Sequence, residues 1–183
     1  MLGEAMAGEG AIAMAPILRG ISDVDRHSST WAREAAAPRN VGLGDVVVAG
    51  RGARLVTVLG SCVAVCVTDR TNGVGGMNHF VLPMPGSGPR SARHGVVALP
   101  RLLRDLRLLG CEERHMEAKI FGGAYLISTG APHPDHLGAQ NVQLARRFLR
   151  EHGIRVIAEN VDGQRGRRLI YVPSTGVAWV RLL

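Results

Sequence analysis

The order of secondary-structure signals along the chain predicts an α+β fold, with two helices lying against a largely antiparallel or mixed sheet. Three observations point there. Short runs rich in β-branched residues, punctuated by Gly, Asn and Ser, crowd residues 45 to 82. Two later segments carry the apolar period of a helix. The chain then closes on two strand-like runs around a Pro-Ser-Thr-Gly turn. The number of strand candidates suits two layered sheets.

Asp45 to Ala49 is a short strand, followed by the turn Gly50-Arg51-Gly52. Arg54 to Leu59 is a second strand, broken by Gly60-Ser61, and Cys62 to Val67 a third. The turn signal Asp69 to Gly73 leads into a fourth, Val74 to Leu82. Pro83 to Gly95 has no period and reads as a loop at the rim of the preceding strand. Leu99, Leu102, Leu103, Leu106 and Leu109 recur at helical spacing over Val97 to Leu109, with Pro100 in the first turn and Gly110 as the stop. Glu117 to Phe121 is a strand ended by Gly122-Gly123. Asn141 caps the second helix, whose apolar face is Val142, Ala145, Phe148 and Leu149 and whose stop is Gly153. Ile154 to Ala158 is a further strand, and Arg168 to Val172 pairs with Val177 to Leu182 as a hairpin.

The 183 residues suit a single domain spanning 39–183, preceded by an Ala-, Gly- and Met-rich flexible extension over 1–38. A hydrophobic fraction of 46% supports an ordinary core, built from Val, Leu, Ile and Ala because aromatics are only 4%. The net charge of +7 comes mostly from Arg and favours an acidic partner. The Arg residues are scattered and stacking aromatics few, which argues against nucleic acid. No run is long enough to enter a membrane, and the first residues lack the basic start of a signal peptide, so the expected compartment is the cytoplasm. Three cysteines without a secretory context do not make a disulfide framework, and the spacing of Cys62 and Cys66 is not that of a zinc knuckle.

Two residues in this chain are out of character for where they sit. Cys62 follows the Gly60-Ser61 step, where the chain leaves a tight turn for a strand. His79 follows Gly-Gly-Met-Asn and precedes Phe80-Val81-Leu82, 17 residues later. That interval allows one strand out, a turn and a strand back, so thiol and imidazole meet on neighbouring strands. Together they form the minimal kit for attack on a carbonyl: imidazole takes the thiol proton and thiolate attacks. The bland reading of a cysteine in a strand is a small core residue, and Cys66 is read that way. At Cys62 the Gly60-Ser61 step leaves backbone N–H groups open to a developing oxyanion. Thr57 either orients the imidazole, binds a substrate amide, or simply packs. His94, His115, His133, His136 and His152 lie in loops or at element ends, and no motif completes a metal site around His133 and His136. Gly122-Gly123 and Gly163 to Arg168 mark close backbone approaches without the context of a phosphate-binding loop.

The blocks TVLGSCVAVC, GGMNHFVLP, EAKIFGGA, IAENVDGQRGRR and TGVAWV, in that order, resemble the CheD family of chemoreceptor glutamine deamidases over roughly residues 40 to 183. The resemblance implies conversion of receptor Gln side chains to Glu with release of ammonia, with Cys62 as nucleophile, His79 as general base and Thr57 as the third active-site residue. It implies an α/β/β layered sandwich, with mixed or antiparallel sheets and the two main helices on one face. It implies no cofactor and no metal. The implied partners are methyl-accepting chemotaxis receptors and a CheC-type phosphatase, and some members are credited with glutamyl ester hydrolysis. The thiol is expected to have a lowered pKa, through an imidazolium at His79. Two stretches depart from the family pattern, Ser91-Ala92-Arg93-His94-Gly95 and Gly138-Ala139-Gln140-Asn141. The competing function is a receptor- or phosphatase-binding adaptor with a vestigial cysteine.

Overall fold

The computed structural model describes residues 37–126 and 135–183. The expected extension lies outside the described residues up to position 36, as does His133. Nine strands and two helices follow in the order β1 (Arg39–Asn40), β2 (Val46–Ala49), β3 (Leu55–Leu59), β4 (Val63–Asp69), β5 (Val74–Asn78), α1 (Gly95–Leu108), β6 (Met116–Gly122), α2 (Leu137–Glu151), β7 (Arg155–Val161), β8 (Arg167–Val172) and β9 (Val177–Leu182), among the described residues. They build a five-stranded sheet, β2-β5-β4-β6-β7, and a four-stranded sheet, β1-β3-β8-β9. Both sheets are mixed: β6 pairs with β7 and β1 with β3 in parallel, and the other ladders are antiparallel.

Side-chain alternation on β4 sorts the layers. Val63, Val65 and Val67 turn to one face and pack with Leu99, Leu102, Leu103 and Leu106 of α1 and with Val142, Ala145 and Leu149 of α2. Ala64 and Cys66 turn to the other face and join Leu55, Leu59, Leu169 and Tyr171 of the four-stranded sheet. The Thr68 and Tyr171 hydroxyls hydrogen-bond across that second core. Covered on both sides, β4 is buried along its whole length, which is why its sequence reads as nearly continuous apolar residues. The four-stranded sheet is covered on one face only, so β3 alternates Leu55, Thr57 and Leu59 inward with Val56 and Val58 outward. The architecture is therefore helices, sheet, sheet: the α+β class and the α/β/β layering expected, with both helices on one face.

The helices form because one stripe of each is apolar. In α1 Ala98, Leu99, Leu102, Leu103 and Leu106 are buried, each leucine contributing about 1.5–3 kcal/mol of transfer free energy. Both helices stop the same way. Gly110 and Gly153 take positive φ of 81° and 66°. The following amides reach back, Cys111 to the Leu106 carbonyl at 3.2 Å and Ile154 to the Leu149 carbonyl at 2.9 Å.

Three local expectations need correction. α1 starts at Gly95, so Pro100 lies in the body of the helix, on its exposed side, and not in the first turn. α2 starts at Leu137 and is capped by His136, whose side chain accepts from the Ala139 amide; Asn141 is a full turn inside and caps nothing. The strand from Val74 ends at Asn78 instead of Leu82, because the amides of Val81 and Leu82 turn away to the Arg93 carbonyl at 2.9 and 3.1 Å. Strand β1, with two polar residues, carries no apolar signal that a sequence pattern could reveal.

Candidate active site

Cys62 sits on the bend between β3 and β4, half-buried. The bend is tied down by its carbonyls. Gly60 accepts from Ala124 at 2.8 Å, Cys62 from Gly123 at 2.9 Å, and Ser61 from the Asn141 side chain at 3.3 Å. The N–H groups of Gly60, Ser61 and Cys62 find no carbonyl among the described residues. The Cys62 N–H lies against its own sulfur, the position from which it would meet an oxyanion forming there.

His79 lies one residue beyond β5. The β4–β5 ladder pairs Cys66 with Met77, and the bridge Val63–Phe80 continues it in the same register. On that register Ala64 stands opposite His79 and Cys62 opposite Val81. Cys62 and His79 are thus diagonal neighbours on one face, the face turned to the four-stranded sheet. The expectation of neighbouring strands holds, and the sheet face they share adds a third participant.

Thr57 comes from that opposite sheet. Its Oγ1 lies 2.9 Å from His79 Nδ1 and 2.7 Å from the Val41 carbonyl, and Nδ1 is 3.2 Å from the same carbonyl. A carbonyl only accepts, so Nδ1 carries the ring proton and the Thr57 hydroxyl donates to Val41. The lone pair of the neutral ring is left on Nε2, the nitrogen a base would use. Nε2 is buried and has no hydrogen-bond partner, and no bond joins it to Cys62 in this resting arrangement. The Val41 carbonyl is in place because β1 runs parallel to β3, with Val41 N–H donating to Val56 at 2.8 Å. The backbone on either side of His79 is held by Gly44 and Asp45, through bonds of 2.7 and 3.0 Å.

Burial acts on both groups, and its direction runs against the expected ion pair. Desolvation pushes the Cys62 thiol up, only partly offset by its own backbone N–H. Desolvation likewise pulls His79 down, against the Val41 hydrogen bond and the Asp45 charge. The resting pair is a neutral thiol beside a neutral imidazole. Such a pair works by passing the proton from Sγ to Nε2 as the sulfur attacks, not by holding a preformed thiolate. Among the described residues no group of three or more His, Cys, Asp or Glu comes together as a metal-ligand set. Nor is any described helix long and apolar enough to cross a membrane.

A family model described as CheD chemotactic sensory transduction matches residues 81–182, more than half the chain. A probable chemoreceptor glutamine deamidase CheD 1 of Anaeromyxobacter dehalogenans is 47% identical over 142 residues, covering 76% of this chain and 81% of its own. This chain belongs to the CheD family. A CheD relative from Sinorhizobium medicae is 46% identical, covering 68% of each chain, and one from Trichlorobacter lovleyi is 44% identical, covering 67% of this chain and 76% of its own. Among solved structures a Neisseria meningitidis protein matches at a TM-score of 0.43 and 12% identity, over 70% of this chain and 64% of that one, too distant to bear on the argument. The match to the family model begins at residue 81, downstream of Thr57, Cys62 and His79.

Sequence reasoning missed the residues that hold the site together in this CheD chain. Asn141 is fully buried and donates to the Ser61 carbonyl and, at 2.8 Å, to the Val81 carbonyl. It stitches the Cys62 bend to the segment leaving His79. Behind the bend, Gly123 and Gly138 meet so closely that a Cβ on Gly138 would lie 2.3 Å from the Gly123 carbonyl oxygen. Arg167, buried, donates to the backbone of Asn160 and Asp162, and Asp162 N–H in turn donates to Gly122 at 3.0 Å. Gly123 was legible as part of the Gly122-Gly123 close approach, whereas Gly138 and the two polar side chains were not; at Gly163, where a close approach was also expected, nothing lies within 4 Å of an added Cβ.

The neutral pair has a pH signature. The acid limb of kcat/KM should fall as His79 gains its proton, and burial places that step below the ordinary histidine value of about 6.5. Alkylation of Cys62 by iodoacetamide should keep rising beyond the usual thiol value of about 8.5. An acid limb above neutrality, or alkylation that levels off below pH 7, would contradict a neutral thiol beside a neutral imidazole.

Proposed function

We propose that this protein is a protein-glutamine deamidase, converting Gln side chains of methyl-accepting chemotaxis receptors to Glu with release of ammonia. One observation carries the chemistry: the Thr57 hydroxyl and Val41 carbonyl fix the His79 tautomer, leaving Nε2 free on the same sheet face as Cys62. The names of the CheD relatives supply the substrate class. Cys62 Sγ gives its proton to His79 Nε2 and bonds to the carboxamide carbon. The resulting oxyanion meets the free N–H groups at Gly60, Ser61 and Cys62. The tetrahedral centre collapses, and the departing nitrogen takes the proton from Nε2 and leaves as ammonia. Water then attacks the thioester, giving a proton to Nε2, which returns it to sulfur as the Glu product leaves. Thr57 acts through His79 and is a positioning residue.

A second reading, an adaptor that binds a receptor or a CheC-type phosphatase without turnover, draws on the resting pair: neutral, and with no bond between Cys62 and His79. Catalytic hydrogen bonds commonly tighten only when substrate is bound, which favours the enzyme. The protein works in the cytoplasm on this reading, where the receptor's signalling helices lie. The test is the mass of a receptor cytoplasmic fragment after incubation with wild type and with Cys62→Ala, followed by peptide mapping. A Gln-to-Glu change with wild type alone is the expected result. No conversion by either protein while the fragment still binds would replace the enzyme with the adaptor, and equal conversion by both would remove Cys62 from the chemistry.

A further inference from the structure

Helix α2 does more than support the Cys62 bend. Its inner face is spent on the core, through Val142, Ala145 and Leu149. Its outer face, beside the loop that leaves His79, forms one wall of a groove of about 600 Å³. Pro83, Met84 and Leu144 give it apolar lining. Met84 is 61% exposed. Gln143, Arg147 and Arg150 line the helix wall, and their spacing of four and three residues sets them on a single stripe. Arg146, next to them, is held by Glu159. Arg147 and Arg150 have no ion-pair partner among the described residues.

The groove adjoins the candidate site along the chain. Its first lining residue on α2, Gln140, precedes Asn141, whose side chain bonds the carbonyls of Ser61 and Val81, and Pro83 follows Val81 by two residues. From Gln140 to Arg150, at about 1.5 Å per residue, the helix wall is about 15 Å long, or two to three turns of a second helix laid alongside. An apolar lining from Pro83, Met84 and Leu144, beside two cations without an ion-pair partner among the described residues, complements a helix that has an apolar stripe flanked by carboxylates.

We propose that this groove docks an acidic helix of the protein substrate itself, with its carboxylates on Arg147 and Arg150 and its target Gln at Cys62. The proposal rests on the deamidase reading and adds where the substrate is held. The engaged carboxylates lie one to three helical turns from the target Gln. Because deamidation turns an amide into a carboxylate, a site already processed becomes a new ligand for the arginines, and a helix with several target glutamines is converted in a preferred order.

The test uses the full chain and a receptor cytoplasmic fragment whose target glutamine has been mapped. Reversing both charges, Arg147→Glu with Arg150→Glu, should raise KM for the fragment by about tenfold, equivalent to ~1.4 kcal/mol, with little change in kcat. Added salt should raise the wild-type KM and leave that of the reversed protein nearly unchanged. Alkylation of Cys62 by iodoacetamide should match wild type, because the small probe does not need the groove. A fragment carrying Lys in place of the glutamates within three turns of the target should recover affinity for the reversed protein. Binding of the same fragment to Cys62→Ala, with and without the two reversals, separates docking from chemistry. Binding weakened about tenfold by the reversals, with no Gln-to-Glu change by wild type, would keep the groove and remove the deamidase. Conversion by wild type with an unchanged KM in the reversed protein would keep the deamidase and overturn the groove. So would a loss confined to kcat together with altered alkylation, which would mark the arginines as structural.

Discussion

His79→Asn is expected to lower ammonia release from a receptor fragment by about 10²- to 10⁴-fold while leaving the fold intact. Asparagine is the informative replacement. Its amide nitrogen stands where Nδ1 stands, so it still donates to Thr57 and to the Val41 carbonyl. It has no atom at Nε2, so the base alone is removed. Thr57→Val provides the comparison. Valine keeps the shape and the strand preference of threonine, but the Val41 carbonyl loses its hydroxyl donor and the ring loses the contact that fixes its rotation. The loss should be smaller than for His79→Asn and should appear with a changed pH profile, since the Val41 carbonyl alone is left to hold Nδ1. Turnover by His79→Asn within tenfold of wild type would remove His79 from the chemistry.

Gly122→Ala is expected to damage stability and activity together. Gly122 ends β6 with φ at 107°, and a Cβ there would lie 2.1 Å from the Cys62 carbonyl oxygen. That oxygen is backbone and is already bonded to the Gly123 amide at 2.9 Å, so the bend itself must give way. The loss in unfolding free energy should be about 2–4 kcal/mol, from left-handed strain, steric displacement and a lost hydrogen bond. Gly110→Ala isolates the strain. Its φ is 81°, yet nothing lies within 4 Å of its absent Cβ, so it should lose only about 1–2 kcal/mol and keep wild-type Cys62 reactivity. Urea midpoints at constant m-value and iodoacetamide kinetics measure both effects. Equal losses for the two glycines would mean that the contact with Cys62 is unimportant.

How much could be read from the chain depended on how local the cause was. The strand–turn–strand of β4 and β5 and the two helices followed from short-range pattern. So did the choice of Cys62 and His79, each an uncharacteristic residue at a strand end. Thr57 could be proposed but not placed, because its partner lies across the space between two sheets and no local pattern encodes that. Asn141 misleads for a physical reason. An Asn near a helix start ordinarily caps it, whereas here His136 does so and Asn141 is free to bridge two backbone carbonyls. The pKa direction of Cys62 could not be read from charge pairing alone, because burial is the larger cause and is invisible in sequence.

The imidazole is held from the far sheet, and the holding point is the shortest ladder among the described residues. Strand β1 has two residues and pairs only with β3, at the rim of its sheet. Rims of this kind open and close many times for every global unfolding event. Each opening would carry off the Val41 carbonyl and release the ring, with both hydrophobic cores undisturbed. Such openings would loosen the base without leaving a mark on melting curves. Deuterium uptake at the Val41 amide, which donates to Val56, would count the fraction of molecules competent for catalysis at any moment.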